Sequence, residues 1–238
     1  WATMTVMASR AATVSSTRIS DGLVREHVAR VVSSKTFAQA ERLKRFLTFI
    51  SDEAAAGREA LVASMDPADV AALFEAVEAG GGAPDVVVYN ASARVRGPLV
   101  DLPSEDVRRA IEVSAFGAFL VSQQAARRML PGKHGAIFLT GATAGVKGFA
   151  LSSTFAMGKF ALRGLAQSMA RELSPQGIHV AHFVIDGGIR SASRPVPDNA
   201  PDSLLDPDAI AETYWATLQQ HRSAWSWEIE VRPWVEKF

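Results

Sequence analysis

The amino-acid sequence predicts an α/β fold on a parallel sheet, and three observations predict it. From residue 84 onward, short apolar runs alternate with longer segments of helical periodicity, the order of strands joined by crossover helices. The runs show no polar alternation, as expected of strands whose two faces are both covered by helices. The 238 residues suffice for one sizeable core.

Residues 84–89, with Val86, Val87, Val88 and Tyr89, form the clearest strand. Residues 136–140 and 178–185 repeat the pattern, and residues 226–231 supply a last strand. Between them, Ser104 is placed to cap a helix that carries Val107, Ile111, Phe116, Phe119 and Leu120 on one stripe. A second helix spans residues 153–173, and Asp206 followed by Pro207 opens a third, because proline at the first helical position loses no hydrogen bond. The Gly80-Gly81-Gly82 run reads as a flexible connection into the first strand rather than a phosphate loop, since no helix follows it. Residues 1–60 break this rhythm. Val24, Val28, Val31 and Val32 form one apolar stripe, and Leu43, Phe46, Leu47 and Ile50 form another that Gly57 is placed to stop, so two amphipathic helices are expected there. Residues 1–60 therefore stand apart as a helical segment, and residues 61–238 as the main domain.

Composition excludes several classes of function. The 25 basic and 25 acidic side chains cancel, which gives no electrostatic footprint for nucleic acid or an anionic membrane. Residues 1–60 carry 9 Lys/Arg against 6 Asp/Glu, a small excess read as solvated surface. The absence of cysteine removes disulfides, thiolate metal sites and a cysteine nucleophile together. No apolar run reaches the roughly 18–20 residues needed to cross a bilayer, so a soluble, cytoplasmic protein is expected. His179 and His182 lie on or beside a strand without matching acidic or histidine partners in the sequence, and no metal site is expected. Trp215, Trp225, Trp227 and Trp234 read as part of a core or an oligomer contact.

The chemistry-bearing pattern is Phe155-Ala-Met-Gly-Lys159, whose spacing places Phe155 and Lys159 one helical turn apart on a common face. Alone, this is weak. Four further segments accompany it in order: Asn90-Ala91-Ser92 at the end of the first strand; Val113-Ser114-Ala115-Phe116-Gly117; Gly141-Ala142-Thr143-Ala144-Gly145; and Asp186-Gly187-Gly188-Ile189-Arg190-Ser191.

Taken together, these segments make residues 61–235 resemble the classical short-chain dehydrogenase/reductases. The five segments correspond to that family's Tyr-x-x-x-Lys pair, its Asn-Asn-Ala-Gly signature, its Val-Asn-x-x-Gly, its serine-bearing segment and its Pro-Gly-x-x-x-Thr. The resemblance implies a Rossmann-like three-layer fold, an NAD or NADP cofactor, a small carbonyl or alcohol substrate, and a homodimer or homotetramer. It also implies roles for individual residues. The family's tyrosine exchanges a proton with the substrate oxygen, its lysine holds the cofactor ribose and lowers the tyrosine pKa, its serine orients the carbonyl, and its asparagine anchors a water relay. In this chain the catalytic set becomes Phe155 for tyrosine, Lys159 for lysine, Ala142 for serine and Ser114 for asparagine, with the hydroxyl of Thr143 as the nearest substitute for the serine or, alternatively, a turn stabiliser. The cofactor-binding set is Asn90, Ala91, Ser92, Lys159, Gly187, Ile189 and Ser191.

The adenine side is less complete. A dinucleotide fold opens with a strand and a glycine-rich turn that lets the backbone approach the pyrophosphate. The first 60 residues contain only Gly22 and Gly57; Ala8-Ser9-Arg10 resembles the start of such a loop without its glycines, and Ala63 stands where the family often has an aspartate contacting adenine. Three readings follow. The chain is an oxidoreductase with weak or lost activity, a non-catalytic dimerising scaffold or ligand-binding protein, or a fusion in which a helical segment replaced the first half of the dinucleotide fold. In the last case the first strand, usually beside the strand ending at Asn90, is missing, and residues 61–64 with the two N-terminal helices must cover an apolar edge.

Overall fold

The structure is a computed structural model that describes residues 4–7, 66–191 and 194–236. The two amphipathic helices expected near residues 24–32 and 43–50, Gly57, Ala8-Ser9-Arg10 and residues 61–64 lie outside the described residues.

Five strands form one sheet in sequential order: β1 Met4–Met7, β2 Val86–Tyr89, β3 Ala136–Thr140, β4 His179–Ile185 and β5 Glu228–Val231. The strands β2 to β5 run parallel, with Val86 opposite Ala136, Ala136 opposite His179, and His182 opposite Glu228. β1 pairs antiparallel with β2, placing Met4 opposite Tyr89. Met4–Met7 of the N-terminal segment thus form a strand beside β2, antiparallel to it, where the usual first strand was expected to be missing.

The helices are α1 Pro67–Gly81, α2 Ser104–Ile111, α3 Gly117–Met129, α4 Ser153–Leu173 and α5 Pro207–Leu218. Strict alternation along each strand splits the core into two. Val87, Tyr89, Ile137, Leu139 and Val180 face one way, against Val70 and Phe74 of α1, Ala118, Val121 and Ala125 of α3, and Leu162 and Ala166 of α4. Val86, Phe138, Ala181, Phe183 and Ile185 face the other way, against Ile210, Tyr214 and Leu218 of α5. Helices on both faces explain why the strands read as unbroken apolar runs. The second layer is strengthened by aromatic contacts, with Phe183 stacked on Tyr214 at 3.6 Å and edge-on to Phe138 at 5.3 Å; such pairs each contribute about 0.5–1.5 kcal/mol beyond burial.

Two helices open on the same device. Asp66 accepts a hydrogen bond from the Ala68 amide at 2.7 Å and Asp206 from the Asp208 amide at 2.9 Å, each with proline following. α1 runs through Gly80 and Gly81 and stops at Gly82, whose φ of 88° suits glycine, so two of the three glycines end a helix rather than form a free connection. Ser104 does not cap α2. The cap position is Pro103, no side chain caps the helix, and Ser104 is its first residue. Among the described residues no helix is long and apolar enough to cross a membrane.

Candidate active site

The parallel strands β2, β3 and β4 end on one edge of the sheet, and their connections hold the segments singled out in the sequence. This is the edge at which open α/β sheets bind ligands. β2 delivers Asn90, exposed, Ala91, buried, and Ser92, whose Oγ is buried and has no partner among the described residues. A buried hydroxyl without a partner costs about 1–3 kcal/mol, and this one is free to donate to a water or a ligand.

The next segment is a wide π-type turn, Glu112–Phe116, between α2 and α3. The buried Tyr89 hydroxyl donates to the Val113 carbonyl, and Ser114 Oγ accepts from the Ala93 amide at 3.2 Å. Burial drives the Tyr89 pKa up, so its phenol stays protonated and serves as a donor. Ser114 is thereby spent on holding the loop after β2. It also packs against α4, where Gly158 comes so close that a Cβ there would lie 2.7 Å from Ser114 Cβ. Gly158→Ala is therefore expected to destabilise the fold by about 1–3 kcal/mol through overpacking, measurable as a lower denaturant midpoint at unchanged slope.

α4 places Phe155 and Lys159 as their spacing requires. Lys159 is only 2% exposed, and its Nζ donates to the Thr140 carbonyl at 2.7 Å. Burial, and secondarily the charge of Arg94, lowers its pKa from 10.5 to about 8. Two cations approach the Phe155 ring, with Arg94 Cζ 4.0 Å and Lys159 Nζ 5.9 Å from its centroid. No ionisable atom stands at the tip of that ring.

Ala142 has an extended backbone, φ −159° and ψ 168°, and enters a 3-10 turn over Thr143–Gly145; its methyl offers no donor. Thr143 Oγ1 donates to Asp186 Oδ1 at 2.5 Å, so its proton is committed to the end of β4. Asp186, 6% exposed, also pairs with Arg232 Nη2 at 2.9 Å. Gly187 follows with a φ of 148°, and a Cβ there would meet Pro233 Cδ at 2.8 Å, so both conformation and space require glycine. Ile189 is 39% exposed and bridges Leu205, and Ser191 pairs through its backbone with Arg194.

The sequence reading missed several of these groups. His182 does have an acidic partner: Nδ1 lies 3.0 Å from Glu228 Oε2 on the neighbouring strand, and Glu228 is gripped by Arg163 of α4 at 2.6 and 2.7 Å. This ties α4 to β4 and β5 one turn beyond Lys159. Burial holds the His182 pKa below the ordinary histidine range, so the ring is neutral at pH 7. Arg94 also went unremarked, because cation–aromatic stacking between residues sixty positions apart has no local signature. Asp186, an acid in a buried position, was the legible signal.

Comparison with known proteins follows this geometry. The family model for short chain dehydrogenase matches residues 16–194. The chain belongs to the short-chain dehydrogenase family. The match begins upstream of the first legible motif and includes residues outside those described. L-2,3-butanediol dehydrogenase of Corynebacterium glutamicum is 36% identical over 128 residues, covering 52% of this chain and 49% of that protein. The chain spans about half the length of the curated relatives it matches. A crystal structure of a short-chain dehydrogenase from Rhodopseudomonas palustris is 31% identical, covers 91% of this chain and 96% of its own, and superposes with a TM-score of 0.64. An alcohol dehydrogenase from the archaeon Thermococcus sibiricus, complexed with 5-hydroxy-NADP, superposes with a TM-score of 0.67 over 90% of this chain and 93% of its own; at 18% identity it shows the shared fold. The Rossmann-like reading and the oxidoreductase family thus stand together.

Proposed function

We propose that this protein is a nicotinamide-dependent oxidoreductase of the short-chain dehydrogenase family in which the tyrosine-dependent proton transfer is weak or lost. The observation that carries this reading is the pair Phe155 and Lys159: a buried ammonium remains one helical turn from a ring that has no proton to give. General acid–base catalysis contributes about 100- to 10,000-fold, and that contribution is missing from this position.

The residues at the strand ends suit the nicotinamide half of NAD or NADP. The Ser92 hydroxyl, without a partner among the described residues, and the Lys159 ammonium supply hydrogen-bond donors, while Asn90 and Ile189 are accessible. When bound, the nicotinamide would supply or accept hydride for a small carbonyl or alcohol. This chain's own residues would bind and orient it: Lys159 as a fixed positive charge beside the ribose, Gly187 by letting the backbone turn close, and Ile189 by covering an apolar face. Purified protein is expected to bind NADH or NADPH in titration calorimetry; no heat with either would remove the basis for this reading.

A second reading, a scaffold that works by self-association, rests on a different observation. Phe116 at 44%, Phe119 at 42%, Met157 at 52% and Phe160 at 46% exposure present an apolar face on α3, α4 and the turn before α3. Sedimentation velocity is expected to show a dimer or tetramer without cofactor, and Phe116→Asp with Phe160→Asp is expected to shift it to monomer. A monomeric wild type would contradict self-association.

A further inference from the structure

We propose that the residues following β5, Arg232, Pro233 and Trp234, are a clasp that positions the nicotinamide half-site, so that cofactor affinity is set from side chains standing outside it. This inference rests on the oxidoreductase reading for what the site binds, and it names residues that govern that binding through others.

The register of β5 with β4 ends at the pair Ile185 and Val231. Beyond it the two segments stay together, with the Asp186 amide donating to the Val231 carbonyl at 2.8 Å. From there, three consecutive residues each hold a different part of the segment after β4. Arg232 Nη2 lies 2.9 Å from Asp186 Oδ2. Pro233 packs on Gly187, where a Cβ would stand 2.8 Å from Pro233 Cδ. Trp234 Nε1 donates to Asp202 Oδ2 at 3.0 Å.

Each contact bears on the strand-end site. Asp186 joins two connections, since its Oδ1 accepts from Thr143 in the turn after β3 while its Oδ2 meets Arg232. That turn packs on α4 at Lys159: a Cβ on Gly145 would lie 3.2 Å from the Lys159 carbonyl oxygen. Through one largely buried carboxylate, Arg232 therefore holds both the turn beside Lys159 and the start of the Gly187 segment. Asp202 acts further along. The stretch that follows it returns to the site through two backbone bonds, Leu205 N to Gly188 O at 2.8 Å and Arg190 N to Leu205 O at 2.9 Å, which bracket Ile189. Leu204 Cδ2 lies 2.8 Å from where a Cβ on Gly188 would stand, so this return is close-packed. Trp234 is 81% exposed, so its ring adds little to the core and its bond to Asp202 acts on the placement of this stretch. Hydrogen bonds to charged groups are directional and short, which suits them to fixing position. A site held in its binding geometry beforehand loses less freedom when the ligand arrives, and its affinity rises accordingly.

The test combines calorimetric titration of NADH and NADPH, thermal unfolding and amide hydrogen exchange on the full chain, for wild type, Trp234→Phe, Arg232→Gln and Arg232→Lys. Trp234→Phe keeps a ring and removes only the donor. It is expected to melt within about 2 °C of wild type and to weaken cofactor binding about threefold or more. Arg232→Gln should weaken it roughly tenfold or more, with Arg232→Lys recovering part of the loss. Without cofactor, the Arg190 and Leu205 amides should exchange faster in Trp234→Phe and Arg232→Gln, while the His182 amide, bonded to the Trp227 carbonyl at 2.8 Å, keeps its wild-type rate. The inference is overturned if both variants bind cofactor as wild type does, if Arg190 and Leu205 exchange at the wild-type rate, or if His182 accelerates as much as they do. Absence of cofactor binding in the wild type would remove the oxidoreductase reading, and the clasp would then stand or fall on the exchange rates alone.

Discussion

Lys159→Met is expected to stabilise the fold by about 2 kcal/mol at pH 7 while abolishing nicotinamide binding. The Lys159 pKa is about 8 in the folded state against an ordinary value of 10.5, and burial is the first cause. A depressed lysine pKa means that the charged form is held at a cost. Below pH 8 both folded and unfolded states carry the proton and the whole penalty is present, about 3 kcal/mol. Between pH 8 and 10.5 the unfolded state binds more protons, so wild-type stability rises with pH through that window. Methionine removes the penalty but also the hydrogen bond to the Thr140 carbonyl, worth about 1 kcal/mol, which leaves the net gain of about 2. Denaturant melts of both proteins at pH 7 and pH 10 check this: the variant leads at pH 7, and the gap closes or reverses at pH 10. A variant less stable at pH 7, with a gap independent of pH, would contradict the account of this lysine.

Phe155→Tyr combined with Ala142→Ser is expected to raise turnover of small ketones or keto acids by about 100-fold or more, the lower range of acid–base catalysis. The phenol would stand one helical turn from the Lys159 ammonium, whose charge favours the phenolate, and the new serine would enter from the extended residue before the Thr143–Gly145 turn. In the structure the Thr143 hydroxyl donates to Asp186, so the design adds the serine at position 142 itself. Ser114→Asn is left out of the design because Ser114 is packed against Gly158 and holds the Ala93 amide. Steady-state assays with NADH and NADPH give the comparison.

The sheet was largely legible because its strands are buried on both faces: residues 136–140 and the helix over 153–173 agree with β3 and α4 at both ends. Caps were legible unevenly. Asp206-Pro207 was read as a helix start, while the same pair at Asp66-Pro67 was not. The strand Met4–Met7 escaped because its pairing with β2 depends on a partner some eighty residues away. Among the candidate site residues, motif spacing singled out Phe155, Lys159, Ala142 and Ser114. It could not show the long-range partners, namely Tyr89 on the Val113 carbonyl, Glu228 on His182 and Arg94 on Phe155, since each joins segments that only the packed sheet brings together.

The central claim is that the nicotinamide half-site persists while the proton donor is gone. Titrating NADH and NADPH into the wild type and into the Phe155→Tyr, Ala142→Ser variant, with turnover followed in the same samples, tests it most directly. The account predicts similar cofactor affinity in both proteins and substantial turnover in the variant alone. Wild-type turnover within a few-fold of the variant, or the absence of cofactor binding in both, would contradict it.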